Sequence, residues 1–598
     1  DIRPPSSLSP NGPFPPPKMR ALSTAPCLLR ILLPLLCPLS SRGADVDAYP
    51  PFWPLPRHFT NGSTTLSVPF PSPSASPLAG LAFSAHPDTA DIRRAWTRAL
   101  GVMFPWGAEA EARPRAGGEA ATGPALTRVE VRFGDAASVP SLDMDESYSL
   151  RVFEAAEANN SWTCAVEAPT LFGAMHGLLT LAQMVEPVEG EGGGGGEERR
   201  AFVLKKAPWE VKDAPVFPHR GLMIDTSRHF LPLETVLRQV EALHLNKMNV
   251  LHWHATDAES MPVESEAFPG LGAKGAFAPS AVYSKADVAE VVEFARQRGV
   301  RVVVEFDMPG HNYAWSLSHP ELFVNCSDMY PVDTRFWVAS FDPTNEAVYS
   351  FLEKFLGEMS DAFPDGVIHL GGDEVQYSCW NESARIRSYM EEHHMNFTDL
   401  YAMFEQRVHG IARRHNKTVQ SWDEVYVSAR SVLPPDAIVQ VWRGVETLTA
   451  ALTDGFRGVL SAPYYLNGGF DMGGPQVMWQ DIYSNDPMPK NLTKEQEGRM
   501  LGAEACIWGE EVNEFNIDGR TWFRASMLGE RLWSLEGNYT GRIDDGVLIR
   551  SIKQECRMLR AGIKATPIDD RDRFPRRNLW AQCEVELPRH SFRSEPQP

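Results

Sequence analysis

Eight short apolar runs recur between Gly221 and Glu510, each closing on polar or aromatic residues, with helical stretches between most of them. This alternation restricts the fold more than any other feature of the chain. The runs are GLMIDTSRH (221–229), NVLHWHATD (249–257), RVVVEFDMPGH (301–311) and GVIHLGGDE (366–374), then TVQSWDEV (418–425), AIVQVWRG (437–444), GVLSAPYYLN (458–467) and LGAEACIWGE (501–510). Stretches of helical periodicity such as PLETVLRQVEALHLN, KADVAEVVEFARQRG and LYAMFEQRVHGIARRHN lie between them. Eight strand-like runs with helical crossovers predict a (β/α)8 TIM barrel over residues 211–598, which includes a C-terminal tail.

Residues 45–210 have a different pattern and predict a smaller α/β domain in front of the barrel. LTRVEVRF and SYSLRVFEA alternate as strands do, and TLFGAMHGLLTLAQMV reads as an amphipathic helix. Two low-complexity stretches, 106–125 and 189–199, read as loops. No catalytic motif falls in this region, so its expected role is structural.

Residues 1–44 read as a leader followed by a secretory signal. A basic start at Met19 runs into an apolar core and small residues near Ala44. No later segment is long and apolar enough to span a bilayer. Eight N-glycosylation sequons follow the signal, at Asn61, Asn159, Asn325, Asn381, Asn396, Asn416, Asn491 and Asn538. They place the chain in the secretory pathway, where disulfides are permitted. A formal charge of −20 argues against a nucleic-acid partner.

In a barrel of this kind the site forms where the strands' C-terminal ends and their loops converge. Those ends carry Asp225, Asp257, Glu305, Asp307, Asp373, Glu374, Asp423, Glu424, Glu504 and Glu510, with Trp422, Trp442, Trp508 and Tyr465 among them. Indole faces that stack on a pyranose, ringed by carboxylates that accept its hydroxyl hydrogens, predict a carbohydrate site. Glycoside cleavage needs a protonated acid and a group that stabilises the oxocarbenium. No nucleophile elbow or phosphate-cradling loop competes with this reading. His252 and His254 are read as diverging, so neither a metal nor a cofactor is expected. Asp373 and Glu374 pose a problem, because neighbours in an extended segment point apart and cannot form an opposed pair of carboxyls.

HLGGDE (369–374) resembles the catalytic signature of glycoside hydrolase family 20, the β-N-acetylhexosaminidases. HRGLMIDTSRHF (219–230), NVLHWH, EFDMPGH (305–311), IVQVW (438–442), LSAPYYLN (460–467), EACIWGE (504–510) and RASMLGERLWS (524–534) resemble the family's motifs in the same order. The resemblance begins near Phe52 and covers nearly all of the chain beyond the signal.

The resemblance implies exo-acting, retaining hydrolysis of terminal β-linked GlcNAc or GalNAc, in which the substrate's own acetamido oxygen replaces an enzyme nucleophile. Glu374 is then the general acid and base. Asp373 holds the acetamide N–H, and Tyr465 its oxygen. His311 with Asp225 forms a relay that keeps Glu374 protonated, while Trp422, Trp442 and Trp508 wall the pocket. Arg220, Glu510 and Asn467 bind sugar hydroxyls. Family spacing implies disulfides Cys326–Cys379 and Cys556–Cys583, leaving Cys164 and Cys506 free. Partners are glycans (glycoproteins, glycolipids, chito-oligosaccharides), with a possible homodimer, and the destination is lysosomal, vacuolar or extracellular. Ala258, Glu259 and Tyr464 depart from the usual pattern. An inactive glycan-binding protein on the same fold and a disaccharide-releasing sister activity are the alternatives.

Overall fold

The computed structural model describes residues 49–69, 81–105, 123–136, 139–156, 160–189, 200–326, 338–467, 477–534 and 542–568. The signal segment, most of both low-complexity stretches, Asn159, Asn538 and Cys583 lie outside these residues.

Seven strands form the first sheet: β1 (His58–Ser67), β2 (Ala82–His86), β3 (Ala125–Asp135), β4 (Tyr148–Glu154), β5 (Ser161–Thr170), β6 (Val185–Glu189) and β7 (Arg200–Asp213). Their order is β1-β3-β5-β4-β7-β6, with β2 on β3 and a further pairing of β1 with β7. Two helices accompany them, α1 (Ala90–Met103) and α2 (Leu171–Met184). Every residue of α2 is buried. It was expected to be amphipathic, but it packs on the sheet through one face and contacts barrel residues such as Trp533 through His176. A helix covered on all sides has no use for a polar stripe. Strand β7 carries the first region to Asp213, slightly past the expected boundary.

The barrel strands are β8 (His219–Asp225), β9 (Val250–Thr256), β10 (Arg301–Phe306), β11 (Val367–His369), β12 (Thr418–Trp422), β13 (Ile438–Val441), β14 (Arg457–Leu460) and β15 (Met500–Ile507). All pair in parallel, and β15 closes on β8. Burial on both faces explains why the strands read as continuous apolar runs. Helices Leu233–Leu245, Lys285–Arg296 and Phe397–Arg414 occupy three crossovers. The second and third start at capping boxes, Ser284 with Asp287 and Asn396 with Asp399.

Val250, Val303, Val367, Ile438, Val459 and Leu501 form one apolar cluster of their own. Two residues further along several of the same strands, side chains meet across the lumen. His252 Nδ1 contacts Glu504 Oε1 at 2.6 Å, and the Gln440 amide donates to the same oxygen at 2.8 Å. The interior is therefore apolar at its base and polar above it, and the strand ends open over the polar layer. A disulfide joins Cys326 to Cys379, tying the segment after β10 to the helix Tyr377–Glu382 after β11. Those two connections carry His311 and the Asp373–Glu374 pair.

Candidate active site

The strand end at Asp373–Glu374 is not extended. Gly371 has φ +65°, Gly372 φ +97° and Glu374 φ +52°. The space a side chain would need at these glycines is filled by protein. A Cβ on Gly371 would lie 1.8 Å from Asp307 Oδ1, and one on Gly372 would lie 2.3 Å from Val425 Cγ2. The resulting bend lets neighbouring carboxyls share one partner. His311 Nε2 lies 3.8 Å from Asp373 Oδ2 and 3.5 Å from Glu374 Oε2. Asp373 faces inward, with its side chain 12% exposed, whereas that of Glu374 is 55% exposed.

His311 is oriented from behind by Asp257, whose Oδ1 lies 3.1 Å from His311 Nδ1. The expected partner, Asp225, is committed elsewhere. It accepts the backbone N–H groups of Ser227 (2.9 Å), Arg228 (3.1 Å) and Gly509 (2.9 Å) and the Arg228 guanidinium (2.9 Å). Burial opposes charge on His311, but Asp257 and Asp373 outweigh it and hold the imidazole well above its usual range. The relay also acts in the opposite sense to the one expected. The His311 hydrogen bond lowers Glu374 despite partial burial of the carboxyl, so in the free enzyme it favours the anion.

Arg220 does not reach the site. It stands at the start of β8, fully buried, with its guanidinium on Glu146 (2.6 and 2.9 Å) and on the carbonyls of Lys247 (2.8 Å) and Phe217 (2.9 Å). The arginine among the strand ends is Arg228. Its nitrogens lie 2.9 Å from Asp225, 2.7 Å from Asp257 and 3.2 Å from Glu259, and its guanidinium lies 5.1 Å from the centre of the Trp508 ring. Its charge also acts on Glu510 and Glu374. Position in the motif could have identified it, because Arg228 closes the first apolar run and Arg220 precedes it.

Asp307 and Asp373 face each other. Asp307 accepts the Gly372 N–H at 3.0 Å, while burial and the Asp373 charge push its carboxyl well above the usual range. A protonated Asp307 can donate to Asp373, and this contact with the His311 charge restrains the rise that burial imposes on Asp373. Glu424, unassigned from sequence, is pushed up to about 7 by burial and the Asp373 charge. The Trp442 indole N–H donates to its two oxygens at 3.1 and 3.0 Å.

The structure brings the aromatic residues together. Trp422 and Trp508 stand 5.9 Å apart, and Tyr465 lies 6.3 Å from both Trp508 and Trp442. Tyr465 is fixed by a bridge to Cys506, with the Leu466 N–H donating to the Cys506 carbonyl at 2.8 Å. Burial keeps the Tyr465 hydroxyl protonated and able to donate. Asn467 is fully buried, and its amide has no hydrogen-bond partner among the described residues. Tyr464 is buried and accepts a hydrogen bond from Asn485 at 3.0 Å.

His252 and His254 converge instead of diverging, because a strand repeats its facing every two residues. They lie 2.9 and 2.6 Å from Glu305 Oε2. Among the described residues two groups converge closely enough to ligate an ion, His252–Glu305–His369 and Asp307–His311–Asp373. In the first, imidazole and carboxylate meet at ordinary hydrogen-bond distance inside a closed barrel. In the second, the facing carboxyls of Asp307 and Asp373 stand beside His311. Cys164 and Cys506 are free and buried, and Cys556 is disulfide-bonded.

Comparison with known proteins reaches both regions of the chain. The sequence profile "Glycosyl hydrolase family 20, catalytic domain" matches residues 217–536, and "beta-acetyl hexosaminidase like" matches 52–184. Beta-hexosaminidase subunit alpha of Mus musculus is 37% identical over 454 residues, covering 74% of this chain and 80% of its own. Beta-hexosaminidase 1 of Arabidopsis thaliana is 30% identical over 559 residues, covering 91% and 95%. The crystal structure of Flavobacterium johnsoniae chitobiase superposes with a TM-score of 0.70 at 26% identity, over 86% of this chain and 73% of that one. With one profile matched across most of the barrel, another across the N-terminal domain, and relatives 30–37% identical over most of the chain, the chain belongs to glycosyl hydrolase family 20.

Proposed function

We propose that the enzyme removes terminal β-linked GlcNAc or GalNAc from glycans with net retention, using the substrate's acetamide as nucleophile. The observation that carries this reading is the Asp373–Glu374 bend, where one carboxyl is buried beside Asp307 and His311 and the other opens to solvent. An opposed pair would suit a nucleophile and an acid. This arrangement suits an acid and an acetamide clamp.

In the first step the acetamido oxygen bonds to the anomeric carbon, the glycosidic C–O bond breaks, and Glu374 gives its proton to the departing oxygen. Asp373 accepts the acetamide N–H and balances the positive charge of the oxazolinium, while Tyr465 donates to the acetamido oxygen. In the second step Glu374 takes a proton from water. The water oxygen bonds to the anomeric carbon and the ring opens to the acetamide. Arg228 and Glu510, with Asn467, supply polar contacts to the sugar hydroxyls.

Substrates are free or conjugated glycans of the secretory pathway, and the exposed sequons Asn61, Asn325, Asn381, Asn396, Asn416 and Asn491 are its glycosylation sites. Among the described residues no helix is long and apolar enough to cross a membrane. Delivery to a lysosome, a vacuole or the exterior, and pairing into a homodimer, complete the proposal. A chromogenic β-GlcNAc glycoside tests the reaction. Turnover with retained anomeric configuration is expected, and no turnover at any pH refutes it. Glu374→Gln should lower kcat by about 10³-fold and Asp373→Asn by at least about 10²-fold, with thiazoline-inhibitor binding kept in the former.

A further inference from the structure

The relay behind Glu374 continues past Asp257. Asp257 Oδ2 accepts from Arg228 Nη2 at 2.7 Å and lies 3.0 Å from His254 Nε2. The other nitrogen of that ring, His254 Nδ1, lies 2.6 Å from Glu305 Oε2. An imidazole with a carboxylate at each nitrogen can satisfy both only by donating from both, so the geometry selects the cation. His254 is fully buried. Glu305 is a junction. Its Oε1 accepts the Trp422 indole N–H at 2.8 Å, and its Oε2 also lies 2.9 Å from His252 Nε2.

We propose that His254 is a positioning residue of the reaction, pinning Asp257 from the barrel interior so that His311 is held against Glu374, with Glu305 as the fixed end of the chain. The order from the catalytic acid inward is Glu374, His311, Asp257, His254, Glu305. Glu305 thereby couples the acid to the aromatic wall, because the same carboxylate orients Trp422. The charged groups facing His254 are Glu305 on β10, Asp257 on its own loop and, at longer range, Asp225 on β8. Those facing Glu374 are His311, Arg228, Asp257 and its neighbour Asp373. Burial opposes the His254 charge, but the carboxylates outweigh it and hold the ring up at about 10, so it stays charged throughout the working range.

The direction of the effect follows from this. His311 lowers Glu374 in the free enzyme, and a loosened or less cationic relay lowers it less. His254→Gln should therefore move the alkaline limb of the kcat/KM profile to higher pH, by at least about half a unit. His219 provides the control. It is equally buried and also carboxylate-bound, at 2.9 Å from Glu504, but it stands at the far end of β8. His219→Gln should leave the limb where it is.

The inference rests on the proposed reaction, and wild-type turnover tests that reaction separately. With an active wild type, a shifted limb in His254→Gln beside an unshifted limb in His219→Gln supports the chain. Coincident wild-type and His254→Gln profiles overturn it, as do equal shifts in both variants, which would signify general loosening. Should His254→Gln not fold, Glu305→Gln carries the test, since an amide still accepts from Trp422. It removes the anion that keeps His254 charged. The lost cation is one link nearer Glu374 than the lost anion, so the limb again moves up, and an unmoved limb overturns the inference.

Discussion

Arg228, proposed to bind sugar, and Arg220, buried away from the site, allow binding and folding to be tested apart. Arg228 stands among four acids at the strand ends, and Arg220 is sealed against Glu146 at the opposite end of the same strand. Arg228→Lys loses the planar fork that spans Asp225 and Asp257, so kcat/KM should fall by about 10²-fold with little change in melting temperature. Arg220→Lys should do the reverse, costing about 3 kcal/mol by weakening a buried pair while the folded enzyme turns over normally. Steady-state kinetics beside thermal unfolding distinguish the two, and equal kinetic losses would show that the assignment is wrong. Glu374 adds a pH signature. Its half-exposed carboxyl is lowered by His311 in the free enzyme, and a sugar laid over it removes water and raises it. The alkaline limb of kcat should therefore lie at higher pH than that of kcat/KM, with the optimum in acid. Coincident limbs would mean that substrate does not cover the acid.

Among the elements, the bend after β11 has the least tolerance. A Cβ at Gly371 would overlap the Asp307 carboxyl, and φ +65° already disfavours a side chain there. Gly371→Ala should destabilise the fold by at least about 2 kcal/mol and displace Asp307 from Asp373, lowering kcat beyond what the melting shift explains. Retention of wild-type kcat would show that the Asp307–Asp373 contact is dispensable. This bend also marks where the sequence stops being informative. Strands buried on both faces must be continuously apolar, so the eight runs and their polar ends were legible. The positive φ of Glu374 leaves no mark in composition. Nor does the choice between Asp225 and Asp257, because β8 and β9 are neighbours and each acid stands at or just past the end of its strand. Which of them meets His311 depends on where the loop after β10 descends. The resemblance assigned sugar binding to Arg220, which the structure seals against Glu146 at the start of β8, while Arg228 stands among the strand-end acids.

At the scale of the molecule, the N-terminal domain is joined to the barrel through buried charge. Glu146 and Asp213 come from the first region, Arg220 and Lys247 from the second. The Lys247 ammonium lies 3.2 Å from Asp213 and 2.8 Å from the Tyr148 hydroxyl, and His176 lies 2.9 Å from Glu146. Each member is nearly inaccessible to solvent, so separating the domains would strand charges, and the two regions should unfold in one transition. Glu146 makes that joint pH-dependent in a defined window. Burial alone would raise its pKa, but the charge of Arg220 and the hydrogen bond from His176 outweigh burial and bring it down to about 2. A depressed carboxyl contributes stability that is complete above its unfolded value, roughly 4.3, and is lost as pH falls toward the folded value. The contribution is of order 3 kcal/mol. An acidic compartment near pH 5 thus lies above the window, and the joint holds where the enzyme is expected to work. Comparing wild type with Glu146→Gln tests this. The gap between their melting temperatures should be widest at neutral pH, persist to about pH 4.5, and narrow steadily between there and pH 2. A gap of constant width across that range would show that Glu146 contributes shape alone, and that the acid tolerance of the domain joint has another source.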